Sequence, residues 1–405
     1  MQGLGVNLRA WHENKTGFVG MHGILLAKIS PRCPANPLLQ EAACQLLRFL
    51  CLYPAAREAL QKAHGLPTLI DMCTHRVERV RLEAVLALAN AVRDAAMAKA
   101  AGVLGAYQMV AELLKPGGAA VVAAAALMVV VSIHETLGNL HDFAVAGGWE
   151  WILKALAHPS ERVRGAALAV LAVGVDHESV CLILDDDKAR VLGLLEPLFA
   201  NCDAPNQQRT AGSILKRLAR RRGWTSELYT AGLAGVYAAF EARDTEVLVA
   251  AGTLVAALMK GDPGAVEVVS SMGYPPVDLL LRSPELRVAS VAVVMCGMLA
   301  RQEPTRAFIG TLGVSGALAN LLIQVDEMRV LQAVLSVLEA AVDGAVRIEG
   351  DATVVDALLW HLQVSDGTDG TRFPSRCVVL LSKISQGRPD LIEAMVRFCC
   401  VRGRW

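Results

Sequence analysis

Cysteine and histidine are the residue types here whose number first suggests chemistry. The ten cysteines, Cys33, Cys44, Cys51, Cys73, Cys181, Cys202, Cys296, Cys377, Cys399 and Cys400, are scattered without a CxxC pair. Dithiol redox sites and structural zinc sites bring thiols together at short spacing, so this pattern reads as reduced thiols in a reducing compartment. His134-Glu135 is followed by His141, with Gly138 where the zinc-protease helix motif needs its second histidine. Nine histidines spread over the chain read as surface or core residues, not as metal ligands. Asp185-Asp186-Asp187 lacks the Gly and Glu of a calcium loop, and three acids before Lys188 suit the start of a helix. Gly310, Gly313 and Gly316 lack the Gly-Lys-Ser/Thr ending of a phosphate loop, and no G-x-S-x-G elbow occurs. No nucleophile, base and orienting group can be assembled, so the sequence reads as non-enzymatic, with no metal and no cofactor.

One charged cluster stands out. Lys216, Arg217, Arg220, Arg221 and Arg222 place five basic residues in seven at the end of an expected helix, where they also favour the macrodipole. Over the whole chain 39 basic residues balance 39 acidic ones, so no field of one sign is available for a nucleic acid. Apolar residues make up 54% of the 405 and charged ones 19%, which excludes a disordered chain. Aromatics are only 5%. Burial therefore falls to Ala, Val and Leu, as in closely packed helices.

Residues 1 to 30 carry no secretory signal, because Arg9, His12, Glu13, Asn14 and Lys15 interrupt any apolar run. The excess of Arg9, Lys15, Lys28 and Arg32 over the single acid Glu13 leaves an organelle transit segment as a lesser expectation beside the cytoplasm and nucleus. The most apolar stretch, from Gly117 to Ile133, has 17 residues, short of the ~20 that a membrane helix needs. It is expected to be a buried helix.

That stretch occupies one slot of a repeat. Sliding the chain on itself aligns nine helical segments whose first positions are Leu39, Val80, Val121, Val163, Gln207, Val247, Val288, Val330 and Phe373, at spacings of 40 to 44. We call each of these position 0. Position 4 is Ala in seven repeats, from Ala43 and Ala84 to Ala292, then Val334 and Cys377. Positions 0, 4, 7, 8 and 11 trace one apolar helix face. Fifteen residues upstream lie Gly65, Gly148, Gly232 and Gly273, with Gly105 one position earlier in its repeat, as a tight turn between helices requires. Each unit thus reads as a helix, a Gly turn, a short helix, a polar turn and a long helix. A period near 40 predicts an all-α solenoid, because no unit can bury its apolar face alone.

The segments resemble armadillo repeats. Arg57 to Asp94 carries the resemblance best, with Gly65 at the turn, Leu66-Pro67 opening the second helix and the Glu83 to Asn90 core of the third. The resemblance spans about residues 36–390 and implies a right-handed solenoid of about nine three-helix repeats, with two-helix HEAT-like repeats as the alternative. Residues 1–35 and 391–405 are expected to be end caps. In that family the third helices line a concave groove that binds extended peptides, and import adaptors use a Trp and Asn ladder there. This chain lacks the ladder. Position 10 holds one asparagine, Asn90, among Val131, Val173, Arg217 and Met298, and position 6 holds Leu86, Leu127 and Val294 without a tryptophan. Together these slots predict an apolar groove, with Arg93, Arg220, Lys260 and Arg301 at position 13 as a partial basic edge for carboxylates or phosphates.

Two irregular segments, Asn201 to Gln207 and Ser365 to Ser375, lengthen their repeats. The function expected is a protein-binding scaffold or adaptor, working as a monomer or as one subunit of a hetero-complex. The alternatives are an obligate structural subunit of a cytoskeletal or ciliary assembly and a regulator of a chaperone or small GTPase.

Overall fold

The computed structural model describes Leu26 and residues 36–402, apart from 116–118, 138–139, 202, 222, 232, 262–268, 270–275, 301–314, 344–350, 365–372 and 387. Arg301, the turn glycines Gly232 and Gly273, most of the segment 365–375 and residues 1–35 other than Leu26 lie outside the described residues. All described secondary structure is helical.

The chain divides into two units, residues 1–198 and 199–405. The first contains α1 (Pro37–Leu50), α2 (Pro54–Lys62), α3 (Leu66–Met72), α4 (Glu78–Ala91), α5 (Ala95–Val103), α6 (Ala106–Leu113), α7 (Ala120–Leu137), α8 (His141–Val145), α9 (Gly148–Leu156), α10 (Glu161–Gly174) and α11 (Glu178–Asp185). The boundary falls in the last turn of α12 (Lys188–Ala200). The second contains α13 (Pro205–Leu218), α14 (Trp224–Ala231), α15 (Ala234–Ala238), α16 (Thr245–Gly261), α17 (Val277–Leu281), α18 (Leu286–Leu299), α19 (Ser315–Gln324), α20 (Met328–Asp343), α21 (Asp351–Val364), α22 (Phe373–Ile384) and α23 (Pro389–Arg402). In residues 1–198 the long helices α1, α4, α7 and α10 pack in succession, and in residues 199–405 α13, α16, α18, α20 and α22 do the same. Helices α2 to α4, α5 to α7 and α8 to α10 form complete three-helix repeats, the armadillo arrangement and not the two-helix one.

Helix starts follow local chemistry. The Asp94 side chain accepts hydrogen bonds from the backbone N–H of Ala96 and Met97 at 3.0 and 3.1 Å, and Asp244 caps α16 through the N–H of Glu246 and Val247. Before α4 and α10 the chain repeats one turn device. His75 and His158 each accept a backbone N–H two residues on, while Arg81 and Arg164 donate to the carbonyls of His75 and His158 at 2.8 and 2.9 Å. The sequence His-x-x-Glu-Arg-Val-Arg at both sites records it.

Positions 4 and 8 are buried in all nine long helices, so the apolar face read from the sequence is the packing face. Fully burying each Leu at position 8 contributes about 1.5–3 kcal/mol. The register differs in one repeat. In α7 the residues with the burial pattern of positions 0, 4, 7, 8 and 11 are Val122, Ala126, Val129, Val130 and Ile133, one residue later than the alignment on Val121. Gly105 lies 15 residues before Ala120, whereas His64 lies 14 before Glu78 and Gly147 lies 14 before Glu161. One extra residue in that turn moves the helix, and a run of Ala and Val looks alike in either register.

The glycine turn also divides its roles differently from the expectation. The left-handed residue is His64 (φ 49°), Gly105 (φ 88°) or Gly147 (φ 78°), and the aligned Gly65 has φ −81°. Gly65 and Gly148 are needed for space instead: a Cβ on Gly65 would lie 2.5 Å from Leu60, and one on Gly148 would enter the Phe143 ring.

Successive long helices meet through fixed positions. Position 9 of one faces position 3 of the next in Gly297 against Ala333, and position 5 faces positions 3 and 7 in Gly252 against Val291 and Met295. The outermost junctions put an ion pair at the same positions. Arg48 Nη1 lies 3.1 Å from Glu83, and Glu339 accepts from Arg376 at 2.7 Å, with the charges exchanged.

Candidate protein-binding surface

The face left over by this packing carries positions 6, 10 and 13. Position 6 is at least partly accessible in every long helix, whereas position 7 beside it is buried in all but α1. Residues 1–198 present Leu86, Met128 and Ala169 at position 6, then Asn90 and Val173 at position 10, while Ser132, which holds position 10 of α7 in its true register, is buried. Leu127 and Val131 do not lie on this face. Leu127 is fully buried and Val131 nearly so, as positions 5 and 9 must be to meet a neighbouring helix. Met128, 41% exposed, takes the place expected of Leu127. The one-residue lengthening between Gly105 and α7 is the signal that could have found it.

Asn90 is half-buried and braces the stack: its Nδ2 donates to the Arg48 carbonyl at 2.9 Å. Arg48 also lies over the Phe49 ring, 5.6 Å from its centroid. At position 13 this unit has Arg93, Glu135 and Asp176, all exposed, so Arg93 alone represents the expected basic edge there and acids follow it. Beside that edge the rings of His134 and His177 meet edge to face at 4.8 Å. Burial and the neighbouring His177 hold the His134 pKa below its ordinary value.

Residues 199–405 present Ser213, Thr253, Val294, Ser336 and Val379 at position 6, with Arg217, Ala257, Met298 and Lys383 at position 10. Val294 and Met298 are half-buried, as expected of groove residues. Arg217 is half-buried and its Nε donates to the Ser213 carbonyl of its own helix at 3.4 Å. Arg220 and Lys260 are exposed at the ends of α13 and α16, and with Arg93 they are the described members of the expected basic edge.

Burial pushes the Cys44, Cys51 and Cys377 thiols up to about 12, which leaves no thiolate at neutral pH. Among the described residues no three His, Cys, Asp or Glu side chains are placed to hold a metal. A recess of about 410 Å³ in residues 199–405 is lined by Arg282, Ser283, Asn320 and Gln324 between α17, α18 and α19, and no carboxylate, histidine or thiol lines it. No single described helix is long and apolar enough to cross a membrane, and α7 is mostly buried among its neighbours.

The fold is an armadillo-type α-solenoid. It is similar to the crystal structure of an engineered protein from a structural genomics consortium, with 21% identity and a TM-score of 0.65 over 93% of this chain and 92% of that one. It is also similar to a designed armadillo repeat protein in complex with a (KR)4 peptide, with 18% identity and a TM-score of 0.50 over 58% of this chain and 98% of that one. No family model matches the sequence, and none of the curated proteins matches it.

Proposed function

We propose that the protein is a non-enzymatic scaffold or adaptor that holds a partner protein along positions 6, 10 and 13 of its long helices. The observation that carries this reading is a contrast within every long helix after α1: position 6 stays accessible while the residue beside it is buried, yet it bears Leu86, Met128 and Val294. Accessible apolar side chains in register mark a contact surface more than a solvated one. The designed armadillo protein that shares this fold holds a basic peptide. Arg217, Arg220 and Lys260 would repel such a peptide from α13 and α16, so an acidic segment with apolar anchors suits this chain better. The free thiols buried in the core fit a reducing compartment, and we propose the cytoplasm.

Affinity capture with the wild-type protein, with Met128→Asp plus Val173→Asp, and with Arg217→Glu plus Arg220→Glu tests the proposal. Val131 is unsuitable, since a charge at its buried position would unfold α7. A stoichiometric partner lost from either variant, with helix content unchanged by circular dichroism, supports the reading. Retention of every partner by both folded variants refutes it.

A further inference from the structure

The junction between successive long helices is built from two half-surfaces, and among the described residues one half stands exposed on α1 and the other on α22. Positions 5 and 9 form the half that faces the following repeat, and positions 3, 7 and 10 the half that faces the preceding one. Position 7 is buried to 1% exposure or less from Ala87 through Leu380, but Leu46 in α1 is 39% exposed. Phe49, at position 10 of α1, is 48% exposed. Position 5 is buried from Cys44 through Leu335, but Val378 in α22 is 54% exposed, because α23 packs on α21 and leaves it open.

We infer that these two half-surfaces bind each other between copies of the chain, so that α22 of one molecule seats on α1 of the next. The complementarity is that of the interior junctions. One of those junctions sets a small residue at position 9 against a small residue at position 3, Gly297 against Ala333. Here Ser382 supplies position 9 and Ala42 supplies position 3, with no charge on either side to be stranded. The apolar Val378 then meets Leu46 as Gly252 meets Met295 within the chain. Such a contact joins unlike surfaces, so it is heterologous and propagates unless a ring closes.

Sedimentation velocity of the full chain across a concentration series tests the inference with Leu46→Asp and Val378→Asp. The expected result is a weight-average mass that rises roughly twofold or more for wild type, and no rise for either variant alone. A one-to-one mixture of the two variants still holds one intact half-surface on each, so it should form a dimer and nothing larger. Phe49→Asp and Ser382→Glu are second variants of the same halves, for use if either first variant loses helix content. A monomeric wild type at every concentration overturns the inference. So does self-association of either variant alone, which would mean like faces pairing, and so does a mixture that stays monomeric.

Discussion

The two units stack their long helices through the same positions but make room for close approach in different ways. In residues 1–198 the glycines yield to aromatic rings: Gly148 makes space for Phe143, Gly174 for Trp149, and the Tyr107, Phe143 and Trp149 rings sit 5.5 Å apart in sequence. In residues 199–405 the glycines lie mid-helix and yield to the next helix itself. Gly252 faces Val291 and Gly297 faces the Ala333 backbone, while Gly212 makes room both for the Phe199 ring, 2.5 Å from where its Cβ would lie, and for Ala250 of the next helix at 3.0 Å. The first unit thus adds a cluster of three aromatic rings to its stacked long helices, and the second has its closest helix-to-helix approach at Gly252 and Gly297. The accessible faces differ in parallel: apolar with an acidic rim in repeats three and four, polar and basic at α13 and α16.

The largest test of that contrast is Trp149→Ala. Trp149 is 2% exposed, and removing it should destabilise by about 3–5 kcal/mol, measured by urea unfolding. An effect under ~1 kcal/mol would show that the aromatic cluster does not hold the first unit together. Next comes Gly297→Ala, whose Cβ would lie 3.1 Å from the Ala333 Cα and Cβ and 3.2 Å from its carbonyl oxygen. Backbone cannot rotate away, so overpacking of about 1–3 kcal/mol should outweigh the gain of about 1 kcal/mol in helix propensity. Gly316→Ala, with open space around it, is the control and should stabilise by up to ~1 kcal/mol.

Glu196 sharpens the comparison through pH. Burial raises its carboxyl pKa from 4.5 to about 7, and one carboxylate oxygen is buried without a partner. The folded state holds that proton more tightly than the unfolded chain. Its contribution is thus full below about pH 4.5 and is lost as pH rises through about 7. Glu196→Gln should raise Tm at pH 8 and leave it unchanged at pH 4, as thermal unfolding at the two pH values would reveal. The smallest effect belongs to the half-exposed ion pairs. Exchanging Arg48 and Glu83 should cost less than ~1 kcal/mol, and a larger loss would mean the pair is better shielded than its exposure suggests.

Packing was legible in the sequence wherever the residue type left one answer. Ala84, Ala167 and Ala251 at position 4 and Leu88, Leu171 and Leu215 at position 8 recur at fixed spacing because a neighbouring helix crosses there. The register of α7 was not legible, since Val121 and Val122, Ala125 and Ala126, and Val129 and Val130 are chemically alike in pairs. Only the turn length distinguishes them, and that error carried Leu127 and Val131 onto a surface they do not reach. The apolar groove survives in part, through Leu86, Val173, Val294 and Met298 with Met128 added. The roles of Gly65 and His64 were likewise hidden, because a glycine required for space and one required for a left-handed turn read the same.

The exchanged ion pairs at positions 9 and 3 have a consequence for how such a chain can be rebuilt. Arg48 accepts a follower bearing Glu83, whereas Arg376 follows a helix bearing Glu339. Splicing the ninth repeat directly after the first would set Arg376 against Arg48. The repeats are therefore not interchangeable modules: each outer junction carries a polarity that permits one order of assembly and penalises the shuffled one.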